Sequence, residues 1–185
     1  MQDDTLHAFF SSLIRKASRS LRRLGFQPQH VYPLDSKQAL FALTRSDNIF
    51  TECDGDVLFA PINWGGSHWV LVILDLRASK KILFVDPLGA SVPDVLHTAL
   101  MSCFLDADFV NFSQRVQFDG FHCGAWCVFL AEEYINFCRS DADPSCFCIT
   151  NPLVKSDSVA LEDHMENTRF IRRWRESFKK AWDIR

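Results

Sequence analysis

Residues 124–139 (Gly-Ala-Trp-Cys-Val-Phe-Leu-Ala-Glu-Glu-Tyr-Ile-Asn-Phe-Cys-Arg) place apolar side chains on nearly every side of a helix. A surface helix keeps a polar face toward water, whereas one that is apolar all round belongs at the centre of its domain. Whatever this chain folds into must therefore wrap that segment. Residues 69–76 (Trp-Val-Leu-Val-Ile-Leu-Asp-Leu) make a similar demand. They are rich in β-branched residues and almost wholly apolar, which predicts a strand buried on both faces. With 185 residues, 48% of them hydrophobic, the chain is long enough to enclose both segments in one domain. No apolar run approaches the length needed to span a bilayer.

The remaining elements follow from periodicity. Leu6, Phe9, Phe10, Leu13, Ile14 and Ala17 recur at helical spacing and predict a helix over 4–23, with arginines opposite. A short helix is expected from Ser36 to Arg45, capped by Ser36. Residues 57–62 read as a strand ending near Pro61. Arg77-Ala-Ser-Lys80 is a polar turn, so residues 81–86 return beside residues 69–76 as a hairpin. Residues 93–104 predict a helix, 107–112 a strand, and 165–182 a last amphipathic helix. In that last helix Phe170, Ile171, Trp174, Phe178 and Trp182 share a face. The sum is a single α+β domain over 1–185, with a mostly antiparallel central sheet packed on the buried helix. Residues 57–135 carry its motifs, and 1–50 and 140–185 are expected as helical flanks.

The net charge of −3 is unevenly spread. Residues 1–30 and 165–185 are basic, which leaves residues 31–164 at about −10. A basic partner is favoured there and nucleic acid is not. Seven cysteines, an odd number at irregular spacing, with no basic-then-apolar leader, point to reduced thiols in a cytosol-like compartment. Cys146-Phe-Cys148 has one residue between its thiols, against the two to four usual in zinc sites. His122, Cys123 and Cys127 lack a fourth ligand nearby in sequence. No metal and no cofactor is expected.

Three features could carry chemistry. Pro61-Ile-Asn-Trp64-Gly-Gly-Ser-His68-Trp69 is a Gly-rich loop running into the buried strand, with His68 at its mouth. Phe84-Val-Asp86-Pro-Leu-Gly ends the returning strand, so the hairpin brings Asp86 to the same end as His68. Side chains on paired strands stand about 5 Å apart, near enough for a carboxylate to hold an imidazole. Gln117-Phe-Asp-Gly-Phe-His-Cys123-Gly124 immediately precedes the apolar helix. A thiol at a helix N-terminus meets free N–H groups and the positive end of the dipole, which favour the thiolate. Gly120 and Gly124 flank it and would permit a tight turn and close approach of a substrate backbone. Each feature also has a plainer account: a loop histidine, an Asp-Pro turn former, a core cysteine. Spacing alone leaves both accounts standing.

The order and adjacency of these residues resemble a known family. His68-Trp69, then a hairpin ending in Asp86, then Gln117 with five residues before Cys123-Gly124, is similar to the clan CE cysteine proteases. These include the SUMO and ubiquitin-like-protein proteases, the adenovirus protease and deubiquitinases of intracellular bacteria. The resemblance implies that Cys123 is the nucleophile, His68 the general base and Asp86 its orienting carboxylate. Gln117 and the Cys123 N–H would form the oxyanion hole. Trp64, Trp69 and Gly124 would line the channel for a Gly-Gly tail. Two positions depart from the family pattern: His122 stands where Asp is usual, and Pro87 where Ser often follows the triad Asp. Neither supplies triad chemistry, and His122 is expected to be structural. Asp119 is expected to cap the loop.

The implied function is a cysteine isopeptidase removing ubiquitin or a ubiquitin-like modifier from lysine. Ubiquitin is favoured over SUMO because its tail carries two arginines that an acidic middle segment would attract. The same constellation would serve a viral-type polyprotein endopeptidase cutting after Gly-Gly-like sites. An acetyltransferase effector on this fold would need a basic acyl-CoA and cofactor surface, for which only 169–175 is a candidate. A binder with a decayed site would not be expected to keep all four residues. A monomer in the cytoplasm or nucleus, or in a host cytoplasm for a secreted effector, completes the expectation.

Overall fold

Trp64-Gly-Gly-Ser-His68 is a tight reversal, and it fixes how the central strands pair. Gly65 and Gly66 both take positive φ (68° and 75°), a region that side chains with a Cβ rarely occupy. The reversal sets Trp64 opposite His68, and the pairing then runs back to Val57 opposite Asp75. The computed structural model describes residues 3–17, 24–26, 29–31, 57–77, 80–112, 114–139, 143–148 and 161–182. Within these, α1 is Asp3–Ala17, β1 Leu24–Phe26, β2 Gln29–Val31, β3 Val57–Trp64 and β4 His68–Asp75. They are followed by β5 Lys81–Val85, α2 Asp94–Cys103, β6 Asp108–Phe112, α3 Cys123–Cys138, a 3-10 turn Pro144–Cys146, and α4 Leu161–Trp182. The expected helix at Ser36–Arg45 lies outside the described residues.

The fold is α+β, and the β3–β4–β5 centre of the sheet is antiparallel. Its flanks are parallel: β1 and β2 both lie along β3, and β6 lies along β5. The N-terminal flank is therefore not wholly helical, a correction to the expectation for residues 1–50. Strands of three residues separated by Gln-Pro show no alternation of their own and form only by completing the edge of β3. β3 also runs on to Trp64 instead of stopping near Pro61. The β1 pairing covers residues 57–59 of β3 and the β2 pairing covers 62–64, so Pro61 falls in the gap. A missing N–H is tolerated where that side of the strand has no partner.

Alternation along the strands divides the interior in two. Val57, Phe59, Trp69, Leu71, Ile73, Leu83 and Val85 face α1, α3 and α4. Leu58, Ala60, Ile62, Val70, Val72, Leu74, Ile82 and Phe84 face α2. β4 is thus buried on both sides, as its composition requires. From Cys123 to Ala131 every residue of α3 is buried. Trp126 packs edge-on to Phe129, at 5.4 Å between ring centres, and Phe129 in turn meets Phe170 and Trp174 of α4. Phe9 of α1 stacks on Phe178 at 5.1 Å.

One polar cluster ties the far end of the hairpin to α3. Asp75 is fully buried. Its carboxylate accepts from Arg77 Nε (2.9 Å) and Nη2 (2.6 Å), and from the Tyr134 hydroxyl (2.7 Å). Arg77 Nη1 reaches the Cys138 carbonyl at 3.2 Å, near the C-terminal end of α3. Burial, followed by the bond to Asp75, holds the Tyr134 hydroxyl proton far above its ordinary range.

Removing one member of a buried, hydrogen-bonded charge group strands the others. Asp75→Ala should cost about 3 kcal/mol, a fall in Tm of roughly 10 °C for a chain this size. Tyr134→Phe leaves the Arg77 pair intact and should cost about half as much. Urea unfolding of both variants measures this, and equal losses would contradict it.

Candidate active site

His68 opens β4, and Asp86 directly follows β5. The hairpin pairs Leu71 with Val85. Extending that register by one places Asp86 opposite Val70, diagonal to His68 on the same face. His68 Nε2 donates to Asp86 Oδ1 at 2.9 Å, because an ionised carboxylate can only accept. This leaves Nδ1 as the ring nitrogen available to Cys123. The His68 side chain is 23% exposed and Asp86 7%.

The sequence Asp86-Pro-Leu-Gly89 makes this carboxylate rigid. Gly89 N–H donates to the Asp86 carbonyl at 2.8 Å, closing a four-residue turn with Pro at its second position. Leu88 N–H donates to Asp86 Oδ1 at 2.7 Å. Gly89 has φ +77°, and a Cβ there would lie 3.0 Å from Arg115 Cβ, so no other residue fits without strain. The Pro87 carbonyl then accepts from Val116 N–H (3.0 Å) and Gln117 N–H (2.7 Å). The turn holding the histidine's carboxylate therefore also holds the backbone of Gln117.

Cys123 is the first residue of α3, with His122 at the N-cap. It is 4% exposed and within hydrogen-bonding reach of His68. Burial is the largest influence on its thiol and pushes it up. The bond from His68, the Trp69 backbone, the charge of His68 and the Gly124 backbone outweigh burial, and the thiol ends below its ordinary value. His68 moves the opposite way. The bond to Asp86, then the one to Cys123, raise it to about 9 against the effect of burial. Both shifts favour thiolate beside imidazolium, an activated sulfur nucleophile.

Cys127, one turn further along α3, is fully buried, and its thiol bonds the Trp69 carbonyl at 3.6 Å. Burial, with Cys123 and Asp86 nearby, holds it well above its ordinary value, so it stays neutral. Trp69 is 4% exposed and belongs to the core. Trp64 is half-buried beside the exposed turn 65–67, and Gly124 is buried in the first turn of α3.

The loop before Cys123 is capped by Asp119, as expected, but departs from the sequence expectation at Gly120. Gly120 does not take positive φ, and a Cβ on it would meet nothing within 4 Å, so glycine is not what turns the loop. Asp119 turns it: Oδ1 accepts from the N–H of Phe121 (3.0 Å) and of His122 (2.9 Å). An Asp bonding the N–H groups two and three residues on is a local turn device that the sequence can signal. His122 Nδ1 lies 2.8 Å from Asp119 Oδ2, so the second imidazole forms its own carboxylate pair. Gln117, 1% exposed, donates its side-chain amide to the Asp119 carbonyl at 2.6 Å. The geometry thus joins His68 to Asp86 directly with Cys123 within reach of His68, and joins Gln117 to Asp86 through Pro87 and to the Cys123 loop through Asp119.

Residues 4–136 match the family model described as the Ulp1 protease family, C-terminal catalytic domain. Among solved structures, the chain is similar to the Xanthomonas campestris effector XopD bound to ubiquitin. Identity there is 18%, with 93% of this chain and 90% of that chain covered, and the TM-score is 0.53. It is similar to the ASFV protease at 14% identity, covering 85% of this chain, with a TM-score of 0.52. This chain spans 62% of the length of that protease. The yeast Ulp1 protease domain in complex with Smt3 aligns at 18% identity over 92% of this chain and 74% of that one, with a TM-score of 0.49. No curated protein matches the sequence. At such identities the XopD and ASFV likenesses establish the fold.

The paired shifts have a direct readout. By NMR the His68 imidazole should titrate near pH 9, well above the ordinary 6.5. Below that pH it is imidazolium, and the thiolate it supports forms at a pH below that of a free thiol. His68→Ala should therefore move the midpoint of Cys123 alkylation by iodoacetamide upward. An unchanged midpoint would show that the thiol is not tuned by His68.

Proposed function

This chain belongs to the Ulp1 protease family and is a cysteine protease, and on that premise we propose that it releases ubiquitin or a ubiquitin-like modifier from lysine. The observation that carries this is the His68–Asp86 pair set against the Cys123 thiol at the start of α3. In the proposed reaction the thiolate attacks the carbonyl carbon of the modifier's last glycine. The oxyanion that forms is met by the Cys123 N–H and the Gln117 amide. Collapse breaks the isopeptide C–N bond, and the imidazolium of His68 passes a proton to the departing lysine amine. A water then attacks the thioester while His68 takes up its proton, giving the modifier carboxylate and regenerating the thiolate. Asp86 keeps the imidazole oriented throughout.

Trp64 and the exposed turn 65–67 are proposed to flank the diglycine tail, with Gly124 removing a side chain from its path. Ubiquitin is the proposed modifier. Its tail, Leu-Arg-Leu-Arg-Gly-Gly, carries two cations, and residues 31–164 carry about −10. The SUMO tail lacks those cations. The XopD structure holds ubiquitin, which is compatible with this choice on a shared fold.

Electrophilic probes built on ubiquitin, SUMO and related modifiers test the reading directly. At least one should add its mass to Cys123, and Cys123→Ala should abolish both labelling and turnover while leaving the fold intact. Loss of such a nucleophile costs several orders of magnitude in rate. A variant keeping more than a few per cent of activity would reject the assignment. Cleavage of Gly-Gly peptides with no modifier reacting would favour an endopeptidase.

The choice of modifier has its own test. Exposed charge pairs contribute about 1 kcal/mol or less each and are screened over roughly 8 Å at physiological salt. Two such pairs give on the order of tenfold preference for ubiquitin in kcat/KM, and the preference should shrink as salt rises. A SUMO preference at low and high salt, or a ubiquitin preference indifferent to salt, would sink the electrostatic argument.

A further inference from the structure

Asp119 is the most heavily bonded side chain near the nucleophile, and no step of the proposed reaction uses it. Its side chain is 9% exposed. Oδ1 holds the Phe121 and His122 N–H groups, and Oδ2 receives His122 Nδ1 at 2.8 Å and the Thr168 hydroxyl at 3.2 Å. Its backbone carbonyl accepts the Gln117 amide at 2.6 Å. Thr168 lies on α4, beyond the residues 4–136 that match the family.

We propose that Asp119, clamped by Thr168 of α4, is a positioning residue that sets the Gln117 amide and the Cys123 N–H at a fixed separation. This rests on the reading of Cys123 as nucleophile and Gln117 as oxyanion donor. Gln117 is held from both sides: its own N–H by the Pro87 carbonyl, and its side chain by the Asp119 carbonyl. The Asp119 carbonyl can stand in one place only if the backbone from 119 to 122 does. That stretch contains Gly120, whose surroundings are open, so the carboxylate supplies the order that packing does not. Two donors aimed at a developing oxyanion act together only when both are already in place. The last helix thereby acts on the chemistry at a distance, through one hydroxyl.

The test separates oxyanion geometry from the state of the thiol. A small fluorogenic Gly-Gly peptide reports turnover, and iodoacetamide reports the Cys123 thiolate without any oxyanion. Asp119→Ala should lower kcat about 10- to 10²-fold, the scale of an ångström's misplacement. KM should stay within about twofold, and the alkylation rate should stay at the wild-type value. Asp119→Asn keeps an oxygen for the Phe121 and His122 N–H groups and should recover most of the loss. Thr168→Val should show the same pattern, several-fold in size. A wild-type kcat in Asp119→Ala overturns the proposal, as does alkylation that falls in step with kcat or a failure of Asn to rescue. If Asp119→Ala does not fold, the Asn and Thr168→Val variants decide, and a wild-type kcat in Thr168→Val overturns the clamp. Because neither readout uses a modifier, a wrong choice of modifier leaves this result standing. A Cys123 that reacts no faster than the other thiols rejects the nucleophile itself, and the proposal with it.

Discussion

Burying α3 against β4 is the contact on which the rest of this structure depends. The helix from Cys123 to Cys138 has no side it can leave in water along its first half, and β4 has no face it can expose. Packing one on the other lets each satisfy part of the other's need, with α1 and α4 covering the outer surface of the helix. The two elements meet with the N-terminal end of α3 beside the first residues of β4. The dipole end of the helix, its free N–H groups and the first side chain of the strand are thereby driven together. Cys123 meets His68 because two apolar segments must be covered, and the encounter follows from the packing.

The hairpin carries opposite tasks at its two ends. At the turn between β4 and β5, Asp75, Arg77 and Tyr134 form a buried polar cluster that fastens the sheet to the C-terminal half of α3. At the open end, His68 and Asp86 form the pair that faces Cys123. A slip of one residue between the strands would turn His68 to the opposite face and separate it from both partners. The Gly65–Gly66 reversal on one side of β4 and the Asp75 cluster on the other hold the register, so stability and chemistry rest on the same ladder.

Two imidazoles, each paired with its own carboxylate, precede the thiol in sequence and serve different ends. His68 is partly exposed, bonded to Asp86 and in contact with Cys123. His122 is nearly buried and bonded to Asp119 within a loop whose direction Asp119 sets. Around the thiol, the Asp86 turn and the Asp119 loop are joined by the bonds from Val116 and Gln117 to the Pro87 carbonyl. The site is therefore framed by backbone and side-chain hydrogen bonds that tie its two loops together.

The sequence by itself determined which segments must be buried, and with them most of the elements. Apolar runs and their periods fix α1, β4, β5, α2, α3 and α4, because burial dominates the free energy and has a readable spacing. It also placed His68 and Asp86 at one end of a hairpin and Cys123 at a helix start, since strand pairing and helix polarity are local consequences of the chain. Only the tertiary structure decided the rest. β1 and β2 are three-residue strands that exist because β3 has an edge to offer. Asp119 was legible as the residue that caps the loop before Cys123, but Gly120 plays no part in the turn, and the partner that locks Asp119 is Thr168, 49 residues further along the chain. Trp69, next to His68 in sequence, points into the core because alternation along β4 sends it there. Local spacing can say that a residue is able to bond. Which partner it finds across the fold is set by how the buried faces pack, and that packing is long-range.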